Sequence, residues 1–267
     1  MVLPNSGSLF GPKINRTTTK MSKCSIEIPN MSLVYRQLLR VSNWCVLVCF
    51  FVFFTQLSLA DEVTPQGKNV YQMVTGEDFS EEDRVRWNAL YNTTMYLYGK
   101  EPAEFLKRVV NQLPVGHALD IATGEGRNAV YLAKKGFRVD GVDISEVALR
   151  KARRLAKENQ VTIHTINQDL KDFLIPSNKY DVIVNFIFLQ RSLIPRIKKG
   201  LKKGGMVVFQ NFTLEQRENP DGKSLPESFL VKKNELKKAF EKDFEILIYE
   251  ETNNGKQAFA SLLARKK

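Results

Sequence analysis

The sequence predicts an α/β fold, a doubly wound and mostly parallel sheet that closes in an antiparallel β-hairpin, and three observations carry that expectation. From residue 118 to residue 212 short apolar runs alternate with amphipathic stretches, the βαβ rhythm that puts helices on both faces of a parallel sheet. At the front of this series HALDIATGEGRNA, His117 to Ala129, passes from apolar run to small-residue turn to helical pattern. Near the end only Asn253-Asn254-Gly255 separates two further runs, and strands joined so tightly must be antiparallel.

Taken in order, the first element is an amphipathic helix over Glu81 to Asn92, capped by Ser80 with Asp83 at capping-box spacing. A second helix, Pro102 to Leu113, follows the loop TTMYLYGKE. The first strand, Ala118 to Ala122, is apolar except for Asp120. The helix after it, residues 126–135, buries Val130, Leu132 and Ala133 and is stopped by Gly136. Strand Arg138 to Asp143, helix Glu146 to Glu158 and strand Val161 to Asn167 come next, then strand Tyr180 to Phe188, helix Leu193 to Leu201 and strand Met206 to Phe212. Helix Lys233 to Phe240 leads into the closing pair, Phe244 to Glu250 and Gln257 to Ala264.

The segment ahead of these elements differs in kind. Residues 1–43 are polar, with scattered positives and no hydrophobic period, and read as unstructured. Residues 41–60 carry no charge, and WCVLVCFFVFF, Trp44 to Phe54, has the length of a signal-peptide core, with a small-residue cleavage site at Ser58-Leu59-Ala60. Read from Met31, the order of basic region, apolar core and cleavage site is that of an export signal. The alternatives are an uncleaved anchor giving membrane association through residues 44–60, or a buried helix. Export or anchoring places the large domain outside the cytoplasm; a different true start leaves it cytoplasmic. Residues 61–77 read as a linker.

The formal charge of +11 shrinks on division: six of the 40 basic residues but one of the 29 acids fall in the first 60, leaving 34 against 28, or +6. The remaining positives are dispersed over helix faces rather than gathered in a stripe with aromatics, so no nucleic-acid partner is expected. All three cysteines (Cys24, Cys45, Cys49) lie in the leader. The folded part therefore has no thiol nucleophile, and with only His117 and His164 no metal site is expected.

The candidate ligand site is the carboxyl edge of the sheet. Gly124-Glu125-Gly126-Arg127-Asn128-Ala129 satisfies the loose pattern G-x-G-x-x-G/A. A dinucleotide would set a pyrophosphate over this turn, where Asp120 repels it. S-adenosyl-L-methionine presents an ammonium and a sulfonium, which the acid attracts; otherwise Asp120 is simply satisfied by loop amides. Asp143, followed by Ile144 in VDGVDIS, either accepts from two ribose hydroxyls or caps the next helix, for which Ser145 is better suited. Asp169, followed by Leu170, places a third carboxylate at the same edge, where an adenine amino group would lie. Asn185 and Arg191, near the end of the fourth strand, either orient an acceptor or, for Arg191, cap the helix at Ser192.

The segments WNALYN, YLYGKEP, LDIATGEGRNAVYLAKKG, VDGVDIS, QDL and FLQRSLIPRIKKGLKKGGMVVFQNFT resemble those of class I S-adenosylmethionine-dependent methyltransferases, closest to the tellurite-resistance-type (TehB-like) group. The resemblance runs from about Trp87 to the end. It implies a Rossmann-like sheet over residues 114–267, a helical lid over 78–113 with Tyr98 closing on the cofactor, and a small-molecule methyl acceptor. It further implies that the glycine turn wraps the methionine part, that Asp143 holds the ribose and that Asp169 faces the adenine. Ala122 stands where the family pattern has glycine, and Gln190 where a family-like histidine would precede Arg191. With no base there, a soft acceptor such as a thiol or a chalcogen oxyanion, paired with Arg191, fits best. Rival readings are a catalytically silent cofactor-binding module, a nicotinamide-dependent oxidoreductase and a nucleic-acid methyltransferase.

Overall fold

The computed structural model describes residues 81–267; the leader, the apolar segment 44–60, the linker 61–77 and the expected cap at Ser80 lie outside the described residues. Among the described residues no helix is long and apolar enough to cross a membrane. The chain runs α1 (Glu81–Tyr91), α2 (Glu104–Val109), β1 (His117–Ile121), α3 (Arg127–Lys134), β2 (Arg138–Asp143), α4 (Glu146–Glu158), β3 (His164–Asn167) and β4 (Tyr180–Phe186). It continues through α5 (Ile194–Gly200), β5 (Leu201–Phe212), α6 (Glu235–Phe240), β6 (Phe244–Asn253) and β7 (Ala258–Lys266). The sheet order is β3-β2-β1-β4-β5-β7-β6. Strands β1 to β5 are mutually parallel, and β7 runs antiparallel between β5 and β6.

Side-chain alternation along the strands divides the core between the two sheet faces. Ala118, Val139, Val182, Val184 and Val208 pack against Phe105 and Leu106 of α2, Val130 and Leu132 of α3, and Ala152 and Leu155 of α4. Leu119, Ile121, Ile183, Val207 and Phe209 face the other way, toward Leu193, Ile197 of α5, and Leu236 and Phe240 of α6. Helix α4 is fixed at its start by Ser145, whose hydroxyl accepts from the Ala148 N–H at 3.1 Å.

Several boundaries differ from the expected ones, each for a local reason. The expected strand from Val161 begins only at His164, because β2 offers partners from Asp140 onward. Strand β4 stops at Phe186, as Ile187 turns to φ 56°. Strand β5 starts at Leu201 and absorbs a register shift before Met206. The second helix is a six-residue α2 followed by a tighter turn over Val110–Gln112. Helix α1 is not the amphipathic helix expected: Asp83 is buried and pairs with Arg86, while Val85 is 61% exposed. Between β5 and α6 the chain makes three short 3-10 turns, an excursion that shapes the site.

Candidate active site

The carboxyl ends of β1 to β5 open into one cleft roofed by α1 and the loop after it. It encloses about 1200 Å³ of space, mouth included.

Asp120 shares the face of β1 that carries Ala118, so it points beneath the glycine turn toward α3 rather than into the cleft. It is 2% exposed, and its carboxylate accepts from the Thr123 hydroxyl at 2.7 Å. Burial pushes it up to about 7, against the pull of Thr123 and Arg127. The expected direct contact with a bound cation is thus replaced by a charge held below the turn.

The turn needs left-handed backbone at three places: Ala122 (φ 51°), Gly124 (φ 55°) and Gly126 (φ 85°). The two glycines serve different ends. A Cβ on Gly124 would sit 3.1 Å from the Tyr91 hydroxyl at the cleft wall. One on Gly126 would lie 2.7 Å from the Ala152 Cβ, so Gly126 lets α3 pack on α4 and is absent from the cleft lining. Asn128, also expected at the cofactor, does line the cleft, but its Oδ1 accepts from the Ala103 N–H at 2.9 Å and anchors the start of α2.

Asp143 faces the cleft from the end of β2. One carboxylate oxygen accepts from the Gly124 N–H at 2.8 Å and the other from the Ser145 N–H at 2.9 Å, the Ile144 amide also favours the charged form, and the carboxylate lines the cleft where a ribose hydroxyl could reach it. Burial raises it to about 6 despite these hydrogen bonds. Asp169 lies at the end of β3, its Oδ1 bonded to the Lys171 N–H at 2.8 Å. Ala122, Ile144 and Leu170 fill the wall between these acids, and Arg127 stands over the Tyr98 ring at 5.9 Å to the centroid.

The structure also brings in residues the sequence reading did not assign. Trp87 and Tyr91, one turn apart on α1 with rings stacked at 5.7 Å, form part of the roof. Glu125 accepts from the Leu97 N–H at 2.6 Å and pairs with Lys151 of α4, whose ammonium also donates to the Tyr91 and Met95 carbonyls. This buried pair ties the roof to the glycine turn. Because Ile187 breaks the strand alternation, three consecutive residues, Phe186, Ile187 and Phe188, line the cleft over β4, and Phe212, Leu225, Phe229 and Leu230 complete that wall.

Arg191 and Asn185 do not join them. The Arg191 guanidinium clasps both Glu235 oxygens (2.6 and 3.1 Å) and donates to the Ser228 and Leu230 carbonyls (2.9 and 3.0 Å). These bonds brace the excursion that carries Phe229, and Arg191 is not part of the cleft lining, so it is not placed to act as the counter-charge to an acceptor. Asn185 is 1% exposed within β4, its Oδ1 without a hydrogen-bond partner among the described residues, and it is not part of the cleft lining.

Sheet order 3-2-1-4-5-7-6 with β7 reversed, and acids at the ends of β1 to β3, define the class I S-adenosylmethionine-dependent methyltransferase fold. The Synechocystis magnesium protoporphyrin IX methyltransferase, solved with bound cofactor, shares that fold at 18% identity (TM-score 0.50; 72% of this chain, 100% of that one). More particularly, the model of the family described as tellurite resistance protein TehB matches residues 87–257, and the chain belongs to that family. A Haemophilus influenzae protein described as a probable S-adenosyl-L-methionine-dependent methyltransferase, TehB, is 34% identical over 164 residues, 56% of this chain and 57% of that protein. The crystal structure of TehB from Haemophilus influenzae is similar at 28% identity with a TM-score of 0.51, covering 69% of this chain and 67% of that one. The chain thus spans somewhat over half the length of the curated relatives it matches.

Proposed function

We propose that this protein transfers a methyl group from S-adenosyl-L-methionine to a small-molecule acceptor with a soft nucleophilic atom, a thiol or a chalcogen species. The observation that carries the reading is Asp143, held by the Gly124 and Ser145 amides and facing the cleft that Asp169 also lines. That arrangement suits a ribose and an adenine amino group and opposes a pyrophosphate. When bound, the cofactor supplies an electrophilic methyl carbon on a sulfonium. The chain's residues then have three tasks: Asp143 orients the ribose, Asp120 adds negative potential from below, and Trp87, Tyr91 and Tyr98 exclude water. The name of the Haemophilus influenzae relative, a probable S-adenosyl-L-methionine-dependent methyltransferase, supports the methyl donor in this reading.

Calorimetry with the cofactor and its demethylated product tests it. Asp143→Ala is expected to weaken binding by roughly 1–3 kcal/mol, since charge-assisted hydrogen bonds are lost; unchanged affinity refutes the assignment. We infer from the charge pattern that residues 44–60 direct export or anchor the chain in a membrane. The mass of the mature protein from membrane and exported fractions decides between a new start at Asp61 and a retained anchor.

A further inference from the structure

The two halves of the cleft differ in what they can solvate. Among the described residues every charged lining residue (Glu125, Arg127, Asp143, Asp169) belongs to the ends of β1 to β3 and the turns that follow them. The half over β4 and β5 is a wall of Phe186, Phe188, Phe212, Leu225, Phe229 and Leu230. Its single polar side chain among the described residues, Asn211, spends its amide hydrogens on the Phe229 carbonyl at 2.6 Å and the Phe212 carbonyl at 3.4 Å. An oxyanion entering this half gives up its water and finds no free side-chain donor. A sulfur atom is weakly hydrated and gains from aromatic contact.

Proton inventory narrows the class further. Among the described residues no His, Cys or Lys lines the cleft. An alkylammonium has no free lone pair below about pH 10, whereas a thiol keeps sulfur lone pairs even when protonated and is the softer, more polarizable nucleophile toward a sulfonium methyl.

We propose that the acceptor is a thiol carried on an apolar body, seated against Phe188, Phe212 and Phe229; this rests on the methyltransferase reading and names its substrate class. The thiol leaves its proton in water. A sulfur lone pair forms the new S–CH3 bond as the bond from methyl to the sulfonium breaks, and that electron pair passes to the cofactor's sulfur. The products are a neutral thioether, the neutral demethylated cofactor and the released proton.

The test uses the full chain and a thiol series from 2-mercaptoethanol through ethanethiol, butanethiol and hexanethiol, with selenite and tellurite as the other arm. Methyl transfer gives kcat/KM, and calorimetry gives the affinity of the corresponding methyl thioethers with the demethylated cofactor present. Both are expected to rise roughly fourfold per added methylene until the wall is filled. Phe188→Ala and Phe229→Ala are expected to flatten that gain while affinity for the demethylated cofactor stays the same. A series that is flat or falling, or a higher kcat/KM for either oxyanion than for butanethiol, overturns the proposal while leaving the methyltransferase reading intact. Failure of the demethylated cofactor to bind overturns that reading and this one together.

Discussion

Cofactor binding should release protons, and the amount follows from the two buried acids of the site. Asp120 and Asp143 are raised by burial to about 7 and about 6, so in the empty cleft both are partly protonated near neutrality. A ligand that puts a cation above one and hydroxyls against the other favours both carboxylates. Requiring both ionised implies a release of about 1.4 protons at pH 6 and about 0.6 at pH 7, and affinity that rises about tenfold over that unit. The cofactor's own amino group contributes little here, because an α-amine titrates at about 7.7–8.0. Calorimetry in two buffers of different ionisation enthalpy measures the release directly, and Asp143→Asn should remove about 0.5 proton of it at pH 6. Affinity that is level between pH 6 and 7, with no buffer dependence, would refute the assignment of these acids to the ligand. The same shifts bear on the empty protein with the opposite sense. Both acids hold protons more tightly folded than unfolded, so their contribution is greatest below about pH 4 and is lost as the pH rises to about 7.

Other perturbations separate the site's parts. Ala122→Gly relieves a left-handed alanine, and the gain outweighs the backbone entropy of glycine, so unfolding in urea should show stabilisation of about 0.5–1 kcal/mol. Gly126→Ala drives a Cβ to 2.7 Å from that of Ala152 on left-handed backbone and should cost about 2–5 kcal/mol by the same measurement. Arg191→Lys should act much as Arg191→Ala, losing about 1–2 kcal/mol after allowance for its exposure and impairing acceptor use more than cofactor binding, since a lysine cannot span Glu235 and two carbonyls at once. Although burial alone pushes Asp140 up, hydrogen bonds from Lys179, His117 and Tyr180 bring it down to about 2. Its stabilisation is present above about pH 4 and lost as the pH falls toward 2, so Asp140→Asn should flatten this part of an acid titration followed by circular dichroism.

The half of the site over β1 to β3 was legible because its chemistry is written in single residues at strand ends. The acids Asp120, Asp143 and Asp169 each interrupt or close an apolar run, and the cap at Ser145 frees Asp143 for another role. What escaped was direction and partnership. Period-two alternation could have shown Asp120 sharing the face of Ala118, under the turn. Nothing local shows that Asn128 reaches Ala103 or that Arg191 reaches Glu235, since each partner is fixed only by tertiary packing. The acceptor wall was hidden for two reasons. Ile187 leaves the strand conformation, so three successive residues share one side, and the stretch between β5 and α6 is too long for an ordinary connection, a signal that went unused. Trp87 and Tyr91 did carry a pattern, spaced by one helical turn.

The position of β7 has a consequence for biosynthesis. Residues 258–266 are synthesised after both of their neighbours, yet they fill the slot between β5 and β6 rather than an edge. Until they emerge, β5 presents the unpaired backbone of Met206 to Phe212 to solvent, an open seam that invites pairing with another nascent chain. The acceptor wall hangs from that seam through Asn211 and Phe212. A ribosome stalled before residue 258 would therefore hold a sheet whose β5 seam is still open beside the acceptor wall.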